Sequence, residues 1–328
     1  MSLLEISDLS VDYRVGGGSV RAVDGVSLHV DAGESVGIAG ESGCGKTSLG
    51  LAVPRLLPVN ASLAAGHIRL SGRNVVELSE SQMNGLRWTT VAFVFQGAMN
   101  ALNPVMRVER QILEPIAAHE RATSAADGRA RVRELLDLVG VSPSRASSYP
   151  HEFSGGMRQR VMIAMALACH PKLLIADEPT TALDMISQAQ ILDLLGSLRR
   201  QQGLGLVMIS HDLSAIMRTC DRIVVMYAGV VVEAGPTATI LGGGGRPPAA
   251  QHPYTRALIR SHPDLQGPRR LADELPGHPP DLARPMTGCR FYDRCPVRLA
   301  VCQTETPPDV TLDEGHSAAC HLLTEAPT

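Results

Sequence analysis

Residues 40–47 match the complete pattern G-x-x-x-x-G-K-[ST], which constrains the fold more than any other segment of the chain. An apolar run at residues 35–39 predicts a buried strand before the pattern, and residues 47–53 predict a helix after it. A strand, a glycine-rich turn and a helix N-terminus direct backbone N–H groups toward one point, as in phosphate-binding loops. The predicted phosphate-binding residues are Gly40, Ser42, Gly43, Cys44, Gly45, Lys46, Thr47 and Ser48.

The residue types in this loop suit a nucleotide with Mg²⁺. Side chains in place of the three glycines would keep the backbone away from phosphate oxygens. Lys46 supplies a positive charge for the β- and γ-phosphates, and Thr47 supplies a hydroxyl ligand for Mg²⁺. The alternative is a glycine-rich turn with a chance lysine, and the flanking strand and helix argue against it.

The composition of the chain excludes several classes of protein. Hydrophobic residues make up 44% of the 328 positions and charged residues 19%, as in globular rather than disordered proteins. The formal net charge of −3 gives no indication of a nucleic-acid partner. We see no signal peptide and no apolar run of the about 20 residues that a bilayer requires. The sequence therefore predicts a cytoplasmic protein of about two domains, with any membrane role supplied by a partner.

The region around the loop is predicted to be rich in β-structure. Residues 3–11 and 20–30 alternate apolar and polar side chains, which predicts an antiparallel pair of strands or a small sheet. Further predicted elements are short strands at 67–70 and 75–76 and a capped helix at 79–88.

Two residues at predicted strand ends are candidate ligand contacts. Tyr13 ends the first strand, where its ring either stacks on a nucleobase or packs on the sheet edge. Gln96 follows the buried strand at 91–95, a position where α/β proteins place ligand contacts, although a loop residue also fits there. Residues 107–139 have helical periodicity, broken near 124–128, and predict a helical insert without obvious chemistry.

A second candidate anion site lies further along the chain. Ser154, Gly155 and Gly156 precede a predicted helix at 161–169, so backbone N–H groups at a helix N-terminus are again available. A serine-glycine turn that only caps a helix explains these residues equally well.

Polar residues also follow the next two apolar strands. Asp177 and Glu178 end the strand that begins at residue 172, and a turn there lets both neighbours serve one site. Asp177 fits a Mg²⁺ ligand, and Glu178 fits a base that activates water. Asp184 precedes an amphipathic helix at 187–201, and His211 follows a strand at 205–209. Each of these residues alone has an ordinary structural explanation.

The order and content of these motifs resemble those of the ATP-binding-cassette (ABC) ATPases over about residues 1–240. The loop at 40–47 corresponds to Walker A and Gln96 to the glutamine loop. The segment Ser154-Gly155-Gly156-Met157-Arg158-Gln159 is similar to the family signature. Residues 173–178 correspond to Walker B with the catalytic glutamate, residues 182–184 to the D-loop, and His211 to the switch histidine.

This resemblance implies an α/β fold of the P-loop NTPase class. It would comprise a RecA-like core, an N-terminal antiparallel β subdomain and a helical signature subdomain. The implied cofactors are ATP and Mg²⁺, with Tyr13 stacked on the adenine, Asp184 near the nucleotide, and Thr47, Gln96 and Asp177 near the metal. The resemblance also implies a head-to-tail dimer in which Ser154, Gly155 and Gly156 of one subunit complete the ATP site of the other.

The last part of the chain narrows the resemblance. Residues 252–258 are similar to the C-terminal extension of the peptide and nickel importer ATPases, and residues 95–104 are similar to their glutamine loop, with Gly97-Ala98 where many members have Asp-Pro. We therefore divide the chain into a nucleotide-binding domain at 1–245, with a helical subdomain at about 100–168, and an extension at 246–328.

Four cysteines in this extension form a candidate metal site. Either Zn²⁺ or a [4Fe–4S] cluster suits the four thiolates of Cys289, Cys295, Cys302 and Cys320. The first two sequence spacings between these cysteines are wider than the spacing within usual zinc-binding cysteine pairs. Similar extensions in the subfamily carry a [4Fe–4S] cluster, which we therefore favour over zinc and over unligated thiols. The other cysteines are predicted to pack as small apolar residues: Cys44, Cys169 and Cys220.

The sequence therefore predicts the ATP-hydrolysing subunit of a di- or oligopeptide importer. By resemblance, its partners are a second ATPase subunit, with a paralogue favoured, two transmembrane permeases and an extracytoplasmic binding protein. Its place would be the cytoplasmic face of the membrane. The alternatives are an importer of nickel or another small solute, a non-transport ABC ATPase, and a tail that senses redox state or metal to regulate the ATPase.

Overall fold

The computed structural model describes residues 2–97, 101–120, 124–243, 245–262, 275, 277–284, 286–313 and 315–324. The strands in these residues are β1 (Ser2–Val15), β2 (Gly18–Asp31), β3 (Ser35–Ala39), β4 (Ala61–Leu70), β5 (Arg73–Asn74), β6 (Val91–Val94), β7 (Leu173–Asp177), β8 (Gly205–Ile209), β9 (Arg222–Tyr227), β10 (Val230–Pro236), β11 (Asp309–Asp313) and β12 (His316–Ala319). The α-helices are α1 (Lys46–Ala52), α2 (Glu80–Leu86), α3 (Val108–His119), α4 (Ala125–Leu138), α5 (Gly155–Ala166), α6 (Met185–Gln202), α7 (Leu213–Thr219), α8 (Thr237–Ile240) and α9 (Pro253–Arg260).

The N-terminal strands form a four-stranded antiparallel sheet in the order β2-β1-β4-β5, which confirms the predicted small sheet. The predicted strand at 75–76 is wrong, because Val75–Glu77 forms a 3₁₀ turn. The side chain of Asn74 accepts a hydrogen bond from the Val76 N–H at 3.2 Å and so competes with strand pairing. The predicted cap of α2 is confirmed, since Ser79 and Gln82 form a capping box.

An eight-stranded sheet forms the centre of the molecule, in the order β11-β12-β10-β9-β3-β8-β7-β6. The five strands β9, β3, β8, β7 and β6 are parallel. Parallel strands carry their carboxyl ends at the same edge of a sheet, so the residues that follow β3, β6, β7 and β8 converge there. This arrangement confirms the predicted α/β class.

The two faces of the parallel sheet support different layers. In β7, Leu174 and Ala176 pack in a cluster with α3, α4, α5 and α6, whereas Leu173 and Ile175 pack with α1 and the N-terminal sheet. Alternate residues of a strand point to opposite faces, so the helical layer and α1 lie on opposite sides of the sheet. The predicted helical insert is confirmed as α3 and α4, although the break expected at 124–128 falls in the first turn of α4.

The C-terminal extension is joined to the central sheet. Strand β12 pairs with β10, where Glu233 lies opposite Ala318, and β11 pairs with β12. The buried Glu233 carboxylate accepts hydrogen bonds from the His316 ring at 2.9 Å and from the backbone N–H of His252 at 3.0 Å. The division of the chain at residue 245 stays a prediction. The extension adds strands to the central sheet, and its buried residues pack in the core formed by the preceding part of the chain.

Aromatic rings join the extension to the core. The rings of Tyr227, Tyr254 and Phe291 lie 4.6–5.4 Å apart by their centroids, and all three side chains are buried. Such contacts add to the hydrophobic stabilisation of the rings themselves. Among the described helices, none has the length and apolar character needed to cross a membrane.

We expect Phe291→Ala to lower the free energy of unfolding of the whole chain by about 3–5 kcal/mol, because it opens a cavity between the extension and the core. Urea unfolding followed by tryptophan fluorescence and circular dichroism measures the loss. Val297→Ala, at a side chain that is 50% exposed, is the control and should change stability by about 0.5 kcal/mol or less. Unfolding of the extension alone, with the midpoint of the remaining chain unchanged, would contradict this account.

Candidate active site

The turn between β3 and α1 requires glycine at two positions. A Cβ atom at Gly40 would lie 2.2 Å from the carbonyl oxygen of Met226, and one at Gly45 would lie 2.2 Å from the carbonyl oxygen of Ala22. Both glycines also have positive φ angles, 148° and 103°. Main chain therefore packs directly on main chain at this turn, while Gly43, with φ 79°, faces open space.

The Lys46 side chain lies inside the turn. It is buried, and its Nζ donates hydrogen bonds to the carbonyl oxygens of Gly40 at 2.7 Å and Glu41 at 2.9 Å. The exposed residues of the turn are Ser42, Gly43 and Thr47. A positive charge beneath an exposed glycine-rich backbone is the arrangement expected of an anion site.

Tyr13 and Cys44 border this turn. The Tyr13 hydroxyl on β1 lies 2.9 Å from the Ser48 hydroxyl on α1, so the ring is placed beside the loop. Cys44 is buried, and burial raises the pKa of its thiol. Its packing confirms the predicted apolar role, as does the burial of Cys169 and Cys220.

Asp177 ends β7 next to the loop. Its carboxylate is buried, and Oδ1 has no hydrogen-bond partner among the described residues. Burial raises its pKa, while a hydrogen bond with the Thr47 side chain and the charge of Lys46 oppose that rise. A buried carboxylate oxygen without a partner, beside a threonine hydroxyl, fits the oxygen ligands that Mg²⁺ prefers.

Glu178 and His211 form a direct pair that the sequence did not reveal. Glu178 Oε1 accepts hydrogen bonds from the backbone N–H of His211 at 3.1 Å and from its Nδ1 at 2.8 Å, and Oε2 accepts one from the Thr181 hydroxyl at 2.9 Å. The Glu178 backbone has φ 50°, in the left-handed region. This turn lets Glu178 remain at the site although its neighbour Asp177 belongs to the strand.

Gln96 lies at the same edge of the sheet. It follows β6, which pairs with β7 so that Val94 lies opposite Ala176, and its side chain is exposed. The predicted glutamine loop continues through residues 98–100, which lie outside the described residues. The parallel sheet thus brings Gln96, Asp177, Glu178 and His211 to the edge that holds the glycine-rich turn.

The predicted signature residues lie elsewhere. Ser154 is the exposed N-cap of α5 and accepts a hydrogen bond from the Met157 N–H at 3.3 Å, and a Cβ at Gly156 would lie 2.9 Å from Ser187 Oγ. Asp184 caps α6 by accepting hydrogen bonds from the Ser187 N–H at 2.9 Å and hydroxyl at 2.8 Å, and these bonds lower its pKa. The residues Ser154, Gly155, Gly156 and Asp184 thus form a second group, on the face of the sheet opposite α1.

The four cysteines of the extension share one apolar cavity. Cys289, Cys295, Cys302 and Cys320 all line it. The Cys289 N–H donates to the Cys302 carbonyl at 2.8 Å, and burial raises the pKa of the Cys289 thiol to about 11. No three of these sulfurs lie within 4.8 Å of one another; in the described part of the chain only His29, Asp31 and Glu34 meet that distance.

The chain is similar to known proteins in both sequence and fold. The ABC transporter family model matches residues 23–181, and the model of the oligopeptide/dipeptide transporter C-terminal region matches residues 232–302. The probable peptide ABC transporter ATP-binding protein y4tR of Sinorhizobium fredii is 45% identical over 97% of this chain and 94% of its own length. The dipeptide transport ATP-binding protein DppD of Bacillus subtilis is 40% identical over 98% of this chain and 94% of its own length. The oligopeptide transport ATP-binding protein OppD of Escherichia coli is 41% identical over 97% of this chain and 93% of its own length.

The solved structure of the ATP-binding cassette MJ0796, a dimer bound to ADP and phosphate, superposes with a TM-score of 0.65 at 28% identity, covering 71% of this chain and 98% of that one. The fold and the site thus define an ABC-type ATPase. Within that class, the chain belongs to the family of ATP-binding proteins that carry the oligopeptide/dipeptide transporter C-terminal region. The predicted family and enzyme class are confirmed.

We expect Gly40→Ala to destabilise the nucleotide-free protein more than Gly43→Ala. At Gly43 only the positive φ is costly, by about 1–2 kcal/mol. At Gly40 the contact with Met226 adds about 1–3 kcal/mol of overpacking. Urea denaturation of both variants without nucleotide measures the difference, and equal losses would show that the main-chain contact does not hold the turn.

Proposed function

We propose that this ABC-type ATPase drives the import of di- or oligopeptides, hydrolysing ATP between two cassettes. The observation that carries the catalytic part is the Glu178–His211 pair beside Asp177 at the edge of the sheet. The peptide class is supported by the matched C-terminal region and by the names of the relatives.

The nucleotide site is assigned from the residues around the turn. The backbone N–H groups of residues 40–48 and the Lys46 ammonium bind the phosphates, and the Tyr13 ring packs against the adenine. Thr47, Asp177 and Gln96 hold Mg²⁺, which supplies charge neutralisation for the phosphate oxygens when bound. The buried Asp177 oxygen that has no partner among the described residues supports this metal position.

Glu178 acts as the base that orients water and accepts its proton. Its carboxylate accepts two hydrogen bonds from His211 and one from Thr181, which fix its orientation. A neutral His211 that donates through Nδ1 presents only a lone pair at Nε2. His211 therefore contacts a γ-phosphate oxygen either as an imidazolium or after its bond to Glu178 breaks.

A second cassette completes each site. Ser154 is exposed at the N-terminus of α5, and α5 lies on the opposite face of the sheet from α1, so these residues are available to another chain. Met185 and Ile186, next to Asp184, are 74% and 73% exposed, as expected at a surface that a partner covers. Two helix N-termini that face one triphosphate would then bind it from both sides.

We expect Glu178→Gln to lower ATP turnover by about 10²–10⁴-fold, because the amide cannot accept the proton from water. ATP binding should persist, and ATP should stabilise the dimer in sedimentation experiments. Lys46→Ala is the contrasting variant and should lose ATP affinity itself. Wild-type turnover in Glu178→Gln would refute the base assignment, and unchanged affinity in Lys46→Ala would refute the loop assignment.

The four cysteines are proposed to hold a [4Fe–4S] cluster. Four thiolates bound to one zinc ion at about 2.3 Å lie only about 3.8 Å apart. Any three of these cysteines include a pair of sulfurs more than 4.8 Å apart, and this wider spacing supports a cluster over zinc. When bound, the cluster would cross-link the segments of the extension that carry these cysteines. Binding deprotonates the thiols, and burial has raised the pKa values of Cys289, Cys295 and Cys320.

Protein purified without oxygen should be brown and contain about four iron atoms per chain. Cys289→Ser and Cys302→Ser should lose the colour and the iron, whereas Cys220→Ser, at a buried thiol elsewhere, should keep both. One zinc per chain in a colourless protein would favour the alternative metal. Release of no metal on unfolding, with all seven thiols of the chain titrating freely, would refute a metal site.

The wider assembly follows from this role. We propose two permease subunits, an extracytoplasmic binding protein and a paralogous second ATPase as partners, at the cytoplasmic face of the membrane. Residues 1–245 would be the nucleotide-binding domain, with its helical subdomain at about 100–168, and residues 246–328 the extension.

Affinity purification from solubilised membranes should recover two permeases with the chain. Uptake of labelled dipeptides, lost in Glu178→Gln, should distinguish a peptide importer from a nickel importer. Recovery of no permease would favour a non-transport ABC ATPase.

A further inference from the structure

Arg294, in the extension, is buried against the glycine-rich turn. Its side chain is 4% exposed, and it donates from two guanidinium nitrogens to the two carboxylate oxygens of Glu41, at 2.6 and 3.0 Å. The guanidinium also lies 5.7 Å from the centroid of Tyr227 and 5.9 Å from that of Phe291. A two-point bond between a buried arginine and a carboxylate is strong and directional. Arg294 directly precedes Cys295 in the chain.

Glu41 is the second residue of the phosphate-binding turn, and three of its polar groups are held. Its carbonyl accepts the hydrogen bond from Lys46 at 2.9 Å, and its N–H donates to the Tyr254 hydroxyl at 2.9 Å. Arg294 holds its carboxylate. Two of these three partners, Tyr254 and Arg294, come from the part of the chain after residue 245.

A second arginine makes a parallel connection. Arg290 directly follows Cys289, is half-buried, and forms an ion pair with Asp24 on β2. The Asp24 N–H donates to the Gly229 carbonyl at 2.8 Å, and the Gly229 N–H donates to the Cys44 carbonyl at 3.0 Å. Arg294 thus joins the cysteine segment to the turn directly, whereas Arg290 is connected to the turn through Asp24 and Gly229.

The charge of Glu41 makes the Arg294 contact important for an anionic ligand. An unpaired carboxylate in a phosphate-binding turn would repel the nucleotide. A bidentate arginine neutralises that carboxylate and fixes the backbone to which Lys46 is bonded. One uncompensated charge at roughly 10 Å in a partly buried site changes affinity by about tenfold.

We propose that Arg294 is a positioning residue for ATP: by pairing with Glu41 it sets the shape and charge of the phosphate-binding turn, and it couples nucleotide affinity to the state of the four-cysteine site. The coupling rests on the metal site proposed above, whereas the pairing with Glu41 does not. Arg294 itself takes no part in the reaction.

The pairing is tested by the equilibrium dissociation constant of Mg-ATP and of a fluorescent trinitrophenyl-ATP on the full chain. Arg294→Gln should raise both constants and KM about tenfold, with kcat at saturating ATP within about twofold. Arg294→Lys keeps the charge without the two-point bond and should fall between Arg294→Gln and wild type. Arg298→Gln is the matched control, because Arg298 lies in the same segment but is exposed.

The double variant Glu41→Gln, Arg294→Gln separates charge from packing. If Arg294 neutralises Glu41, the double variant should bind ATP within about threefold of wild type, because the repelling carboxylate is gone. A double variant as weak as Arg294→Gln would overturn the neutralisation of Glu41 by Arg294, and an Arg294→Gln that binds ATP normally would overturn the positioning role as a whole. If Arg294→Gln does not fold, the Arg294→Lys variant takes its place. A KM for ATP equal to that of wild type in folded Arg294→Lys would overturn the positioning role.

The coupling is tested by removing the bound metal with a chelator under reducing conditions. ATP affinity should fall several-fold in wild type and fall no further in Arg294→Gln. Equal losses in both proteins would overturn coupling through Arg294. A purified chain without metal would refute the metal site at the cysteines and the coupling that rests on it. The Arg294–Glu41 pairing would then be judged only by the ATP affinities of the Arg294 variants. Loss of ATP binding by Lys46→Ala together with normal binding by Arg294→Gln would overturn the positioning role alone.

Discussion

Main-chain packing around the turn between β3 and α1 sets the position of the other site residues. Gly40 lies against the carbonyl of Met226 and Gly45 against the carbonyl of Ala22, with no room for a side chain at either place. Strand β3 lies between β8 and β9 in the sheet, so the turn is held by strands on both sides. The buried Lys46 ammonium completes the turn by bonding two of its carbonyls. A backbone fixed in this way keeps its N–H groups aligned before an anion arrives.

The parallel sheet then gathers residues that are distant in sequence. Gln96, Asp177 and His211 follow three strands whose carboxyl ends share one edge. The positive φ of Glu178 resolves the difficulty that neighbours in a strand point to opposite faces, since it turns the chain immediately after Asp177. The hydrogen bonds from His211 and Thr181 hold the Glu178 carboxylate, so the group assigned as base is oriented by residues from two loops.

The extension is part of the same structure as the nucleotide site. It adds β11 and β12 to the central sheet, and it places Tyr254 and Arg294 on Glu41 of the turn. The segment at 252–258 appeared in the sequence only as a mark of the subfamily. Tyr254 within it is fully buried and bonded to the turn, which gives that segment a physical role beside the nucleotide site.

The sequence by itself determined the class of fold and predicted most of the residues of the candidate site. The pattern at 40–47 could be recognised because its glycines, its lysine and the flanking strand and helix are neighbours in the sequence. Apolar runs followed by polar residues located Asp177 and His211, because a polar residue marks the end of a buried apolar strand. The strand predicted at 75–76 failed because a local side-chain hydrogen bond from Asn74 outweighed β propensity.

Only the tertiary structure decided which of these residues meet. The Glu178–His211 pair joins two segments 33 residues apart, and the Arg294–Glu41 pair joins segments 253 residues apart. The tertiary structure also placed Ser154 on the face of the sheet opposite α1. Strand order and the side of the sheet on which a helix packs arise from long-range burial of apolar faces, and no local pattern in a single sequence encodes them.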